Sequence, residues 1–375
     1  MRDPPAAGDA AFAAAARQDV IMRAVLVERF GVRPAVAEVP DPAVADHGAV
    51  LHVAATGLCR SDWHGWQGHD PDITLPHVPG HEIAGTIAAI GRDVTGWSAG
   101  DRVTVPFVCA CGACRQCLDG HHQVCLNQEQ PGFTYWGSFA EYVAIPRAGV
   151  NLVALPDALS FDGAASLGCR FATAYRAVRQ VGRVRAGEWA AVFGCGGVGL
   201  SAIMIAVAAG AEVVAIDISP AALELAARLG AAHTLASGPG IEQRIREITG
   251  GGASLSIDAI GSAQVAQSAL RSLRPHGRHV QVGLLPGGVS LDMSTLIGLE
   301  LQWLGSHGMA AHGYPELLAA VGSGAVRPDE LVTRVIGLDE VPGALAAMST
   351  ASVPGVTVIR PGGAPARPRV PRDAG

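Results

Sequence analysis

Four cysteines, Cys111, Cys114, Cys117 and Cys125, fall in the spacing C-x2-C-x2-C-x7-C. Four thiolates that close along the chain suit a closed tetrahedral zinc site, which would tie down a lobe lacking regular structure. Short Cys-x2-Cys runs also hold iron–sulfur clusters, but no proline follows the last cysteine, which favours zinc. Cys109 lies outside the spacing and reads as a small buried hydrophobe. A second set is dispersed: Cys59, the pair His81–Glu82, and Cys169. Two thiolates and one imidazole leave a fourth position for water or substrate, as a catalytic zinc requires. Taken singly, Cys59 could be a core thiol and His81 one of 13 histidines.

A third constellation runs from Trp189 to Asp217. A short apolar run ends in Gly194, Cys195, Gly196, Gly197, Val198 and Gly199, followed by an alanine-rich segment and a β-type run ending in an acid. This is strand, tight turn, helix, strand: the first unit of a dinucleotide-binding sheet. Gly194 makes the turn, Gly196 lets the backbone approach a pyrophosphate, and Gly199 packs helix against strand. The helix start offers free N–H groups and a positive dipole end to phosphates. Asp217 lies about 20 residues on, where a carboxylate can bind the ribose hydroxyls of NAD. No charge occurs between Glu188 and Glu212, but glycines crowd the start of that stretch, so a buried βα unit is expected and not a membrane span.

The elements that must position these groups follow from the wider pattern. At 375 residues the chain has room for two domains with separate cores. Residues 1–21 read as a disordered extension and 22–169 as a mostly β catalytic domain of short apolar runs between Gly, Pro and Asp turns. From 170 to 307 strands and helices alternate, the pattern of a parallel sheet covered on both faces. Residues 308–361 return to the first domain, and 362–375 form a solvated tail. The net charge of −6 gives no footprint for nucleic acid or an anionic membrane. All 27 basic residues are arginine, which excludes a Schiff-base or P-loop lysine. Eight clustered cysteines point to metal binding in a reducing compartment. The N-terminus lacks an apolar signal core, so the expected location is cytoplasmic.

With these residues in place, the sequence resembles the zinc-dependent alcohol dehydrogenases of the medium-chain dehydrogenase/reductase family. The GHE-x2-G-x5-G signature is complete at Gly80, His81, Glu82, Gly85 and Gly91, and the cysteine lobe, the GCGGVG turn and Asp217 follow in order. The resemblance covers roughly Met22 to Pro361. It implies an α/β fold: a Rossmann-type doubly wound parallel sheet domain plus a mostly β, GroES-like catalytic domain. It further implies that Cys59, His81 and Cys169 ligate a catalytic zinc and that the four clustered cysteines hold a structural one, two zincs per subunit. Glu82 would be a carboxylate able to approach the metal, and Asp62 the acid that holds the zinc histidine in its tautomer. Ser61 and His64 match a proton relay. Arg60 matches a pyrophosphate contact and Thr173 a residue beside the nicotinamide. Val282 and Leu284 join the glycine turn and Asp217 as cofactor positions. Phe107, Phe133, Trp136 and Leu284 fall at or near substrate-pocket positions.

Two departures stand out. Ile218, Ser219 and Pro220 follow Asp217 with no basic residue among them, and Val356 takes the place of a basic residue in the closing strand. The expected activity is reversible hydride transfer between a primary aliphatic or aromatic alcohol and NAD, in a homotetramer of the yeast and bacterial type. A polyol- or threonine-type dehydrogenase of the same family is the nearest alternative, but those tend to carry glutamate where Cys169 stands. A non-catalytic NAD(H)-binding protein would be expected to lose catalytic ligands, and none is missing.

Overall fold

The computed structural model describes residues 21–285, 287–350 and 353–362. Short apolar runs broken by turn residues give the strands Ile21–Leu26, Ala35–Pro40, Ala49–Leu58, Ile83–Ile90, Arg102–Val105, Tyr142–Ile145 and Val153–Ala154. The first two pair antiparallel as a separate ribbon. Ile21, expected in the N-terminal extension, opens the first strand; the rest of that expected extension, residues 1–20, and the tail from 363 lie outside the described residues.

Ala49–Leu58 organises the first sheet. It is almost wholly buried and pairs with Ile83–Ile90, with Tyr142–Ile145 and with the closing strand Val356–Arg360. A strand so enclosed ends at a fixed point in space, and the next residue is Cys59. The closing strand in turn pairs in parallel with Val332–Gly337, so the C-terminal segment completes the sheet begun by the N-terminal half.

The second sheet has six parallel strands in the order His233–Ala236, Glu212–Asp217, Trp189–Phe193, Ala253–Asp258, Leu273–Gln281, Gln302–Gly305. Trp189–Phe193 reads as a continuous apolar run because helices cover both faces, and its neighbour Ala253–Asp258 is buried throughout although it carries two serines and an aspartate. The chain leaves Trp189–Phe193 toward one edge and later fills the other edge, so the order reverses beside that strand. Such a switch point opens a crevice at the strand ends, where α/β sheets bind ligands.

One short stretch joins the sheets. Helix Phe161–Ala165 packs on Ala49–Leu58 and Ile83–Ile90, whereas helix Arg170–Tyr175 packs on Gly197–Ala208 of the parallel sheet. Cys169 is the residue between the turn Ser166–Gly168 and the second of these helices. The fully buried Tyr314, at the start of helix Tyr314–Gly322, clamps this joint by donating its hydroxyl to the Leu167 carbonyl at 2.8 Å. Among the described residues no helix is long and apolar enough to cross a membrane.

A candidate metal and dinucleotide site

The dispersed set converges. Cys59, His81 and Cys169 bring one ligand atom each within 4.8 Å of one another. Three different features deliver them: the end of a buried strand, the loop before Ile83–Ile90, and the joint between the sheets. His81 Nδ1 meets Asp62 Oδ1 at 2.9 Å. Asp62 is itself fixed by N–H bonds from Cys59 (2.8 Å) and Gly80 (3.1 Å). Nδ1–H therefore donates to Asp62, which leaves Nε2 as the ring nitrogen available to a metal once its own proton is displaced. That Nε2 is buried and has no hydrogen-bond partner. A buried nitrogen left open costs on the order of 1–3 kcal/mol, so its natural occupant is a cation shared with the two sulfurs.

The charges agree. A hydrogen bond from Cys169 is the main reason that the Cys59 thiol sits well below its ordinary range; burial opposes this, and His81 and Arg170 add to the pull. The same bond and burial hold Cys169 well above its range. Burial disfavours an imidazolium at His81, yet Asp62 and the charge of Cys59 outweigh it and raise that group. The trio thus gathers negative charge around a held proton. A divalent cation that displaces the proton satisfies all three groups together.

The clustered set is built differently. The sulfurs of Cys111, Cys114, Cys117 and Cys125 also lie within 4.8 Å of one another, and backbone N–H groups of Cys111, Ala113 and Cys114 point at sulfur from 3.3 to 3.4 Å. Buried Asn151 fastens the lobe by bonding both the N–H and the carbonyl of Ala110. Against a raising effect of burial, N–H groups of Cys117 and Leu126 draw Cys114 down to about 6, whereas burial pushes Cys117 and Cys125 up. Four thiolates cannot coexist there without a cation, which fits zinc. Cys109 is fully buried, its thiol raised by burial to about 12, and it stays outside the cluster.

At the switch point the glycines are constrained as their spacing suggests. Gly194 has φ +93°, and a Cβ on Gly199 would lie 1.7 Å from the Gly194 carbonyl oxygen. A Cβ on Gly196 would meet open space, on the side where a phosphate can approach. Asp217 ends its strand beside this turn, accepting N–H bonds from Cys195 (2.6 Å) and Ser219 (2.8 Å). Val198 is partly buried under the turn, and Thr173 is buried one helical turn from Cys169, its N–H donating to the Cys169 carbonyl at 2.9 Å. The Val282 N–H bonds the Asp258 carbonyl at 3.0 Å, at the C-terminal end of the parallel sheet.

Comparison with known proteins decides the family. Residues 45–157 match the alcohol dehydrogenase GroES-like domain and 197–323 the zinc-binding dehydrogenase family. An alcohol dehydrogenase of Geobacillus stearothermophilus is 36% identical over 76% of this chain and 84% of its own. An NAD-dependent alcohol dehydrogenase of Sulfurisphaera tokodaii is 32% identical over 85% and 94%. The solved alcohol dehydrogenase TADH from Thermus sp. ATN1 superposes with a TM-score of 0.84 at 32% identity, covering 90% and 99% of the two chains. The chain belongs to the zinc-dependent alcohol dehydrogenases. It is an enzyme of the medium-chain type, with zinc and NAD as its cofactors.

Not every dehydrogenase position sits where the sequence put it. Phe107 and Phe133 do meet His81, with ring centroids 6.3 and 5.1 Å away. Trp136 instead packs with the cluster that includes Trp63 and Leu75, and donates its indole N–H to the Pro76 carbonyl. Leu284 is 79% exposed at the rim of the parallel sheet. Arg60, expected at the pyrophosphate, lies over the Trp63 ring and donates to the Met348 carbonyl. Ser61 places its hydroxyl 3.8 Å from Cys59 Sγ, while exposed His64 shares a 3.0 Å contact between ring nitrogens with His69. Glu82 is fully buried and gripped by Arg170, whose Nε donates to its two carboxylate oxygens at 2.9 and 3.0 Å and whose Nη2 donates to Oε2. Sequence reasoning missed Arg170 and His69. The only hint was the basic residue directly after Cys169.

Proposed function

We propose that this dehydrogenase oxidises primary aliphatic or aromatic alcohols to aldehydes with NAD, reversibly, and that Cys59, His81 and Cys169 hold the catalytic zinc. The observation that carries this is the open Nε2 of His81 between two sulfurs, beside the rings of Phe107 and Phe133. Zinc, when bound there, supplies a Lewis acid for the substrate oxygen. The protein does the rest. Phe107 and Phe133 give that oxygen's carbon an apolar, water-poor surround in which hydride transfer competes well with side reactions. Ser61, next to the Cys59 sulfur, is placed to accept the hydroxyl proton, and His64 at the surface to pass it to solvent. Among the described residues no hydrogen bond joins Ser61 to His64, so a water or a bound hydroxyl bridges that gap.

Asp217 favours NAD, because a 2′-phosphate would set its charge against the carboxylate and no arginine follows directly to receive it. The closed cysteine lobe takes the second zinc. Eight cysteines with no disulfide among them, six of them in the two metal sets, support a reducing, cytoplasmic setting. A homotetramer follows from likeness to the yeast and bacterial enzymes, and light scattering that found a stable dimer would remove it. The direct test is a panel of alcohols and aldehydes run with NAD and with NADP. NADH formed from primary alcohols, with NADP far poorer and Asp217→Gly narrowing the gap, is the expected result. Faster turnover of polyols than of simple alcohols would move the enzyme to the polyol branch.

A further inference from the structure

Arg170 is only 6% exposed, a costly position for a cation unless every edge of it is used. Nε and Nη2 are committed to Glu82, and the Arg170 backbone N–H is a third donor to that carboxylate at 2.9 Å. Nη1 faces the other way and has no hydrogen-bond partner among the described residues. It lies against the glycine turn: a Cβ placed on Gly197 would be 2.5 Å from Arg170 Cδ and 3.1 Å from Nη1. Gly197 begins the helix Gly197–Ala208, which has no acid in its first turn and no side-chain cap. The free edge of a guanidinium whose other edge is paired with Glu82 is therefore held at the positive end of a helix that carries no acid of its own. A Cβ on Gly196, the residue before that helix, would meet open space, so an anion can approach the helix start and Nη1 together. Arg60 does not fill this role, being turned to Met348 and Trp63.

We propose that Arg170 is a cofactor-positioning residue that holds the pyrophosphate of the dinucleotide through Nη1 while its opposite edge stays on Glu82. The proposal rests on the reading of the glycine turn as the NAD site. One planar side chain then spans the metal site and the cofactor, fixing the distance between them. Lysine, a single point charge, cannot serve both edges.

The test separates binding from structure. Arg170→Gln alone leaves Glu82 buried without a counter-charge and destabilises the fold. The paired variant Arg170→Gln with Glu82→Gln removes both charges, and its melting temperature should recover toward that of the parent. Affinities for NADH, for ADP-ribose and for adenosine are measured by fluorescence titration and competition. In the paired variant, NADH and ADP-ribose should bind about 10- to 100-fold more weakly, the worth of a hydrogen bond to a charged group. Adenosine, which lacks the pyrophosphate, should change less than about twofold, since that bond is absent from it. If the folded paired variant binds ADP-ribose as tightly as the parent, Arg170 is only a counter-ion for Glu82 and the proposal falls. If the parent itself binds neither NADH nor ADP-ribose, the cofactor site is misplaced and the proposal falls with it.

Discussion

The two cysteine sites of this enzyme are held by opposite means. In the lobe at Cys111–Cys125 the ligands are neighbours along the chain, and the donors to sulfur are backbone N–H groups of the same loop. At Cys59, His81 and Cys169 the ligands come from distant segments, and the groups that fix them are side chains: Asp62 on His81, and Arg170 with Glu82 beside Cys169. The lobe's geometry is a property of one loop, its anchor at Asn151 and a metal. The other site exists only where two sheets meet. Loss of metal should therefore cost the lobe its structure and the second site its chemistry.

Cys169→Ala should separate them most sharply. Turnover should fall about a thousandfold or more, since a Lewis acid supplies several kcal/mol, while the melting temperature changes little. Elemental analysis should show one zinc lost per chain; full turnover with one zinc would end the assignment. Cys114→Ser should act in the reverse order, with aggregation or a lower melting temperature before any loss of rate per folded molecule, because structural zinc binding is coupled to folding. A folded, fully stable variant lacking that zinc would show the lobe to be self-sufficient.

Asp62→Asn tests whether the second site leans on side chains as argued. The amide keeps the shape but weakens the hold on the His81 tautomer, and zinc affinity measured against a chelator should drop about 10- to 100-fold. The equivalent change in the lobe, at Asn151, should move stability and leave affinity at the catalytic site alone.

The smallest effect belongs to His64. Burial, then the charges of His69 and Arg60, lower its pKa below 6.5, with Cys59 opposing. Its neutral form, the proton acceptor, is thus present through neutrality and is lost as the pH falls through the lowered value. Alcohol oxidation should fall off on that acid side. His64→Gln should lower the rate near pH 7 by about tenfold and remove that dependence, and imidazole buffer should restore part of the rate. An unchanged rate and pH profile, with chemistry rate-limiting, would leave His64 as a surface residue.

These differences also explain what could be read from the residues alone. C-x2-C-x2-C-x7-C is local, and a local spacing carries its own geometry. The glycine turn with Asp217 is local too, since strand, turn and helix are adjacent in the chain. Cys59, His81 and Cys169 could be grouped by residue chemistry, but only the resemblance tied them to one metal, because no spacing rule spans that separation. Arg170 escaped notice because its significance lies in Glu82 and Gly197, both distant in sequence. Arg60 departed from expectation for a similar reason: the carbonyl that holds it, at Met348, belongs to the far end of the chain. His69 is close to His64 in sequence, but five residues is not a helical repeat, and the helix Arg60–Trp66 ends before it.

The pairing of the last strand with Ala49–Leu58 has a consequence for how the molecule is made. Thr357 sits opposite Leu58 and Ile359 opposite Thr56. On the ribosome, the parallel sheet from Trp189 to Gly305 can close while the end of Ala49–Leu58 still lacks its partner, since contacts so far apart in sequence must wait for the chain to emerge. Cys59 follows directly from that unfinished edge. The catalytic pocket is therefore among the last parts of the chain to set, and a nascent chain stopped before Val356 should show a folded dinucleotide half beside a loose, protease-sensitive metal site.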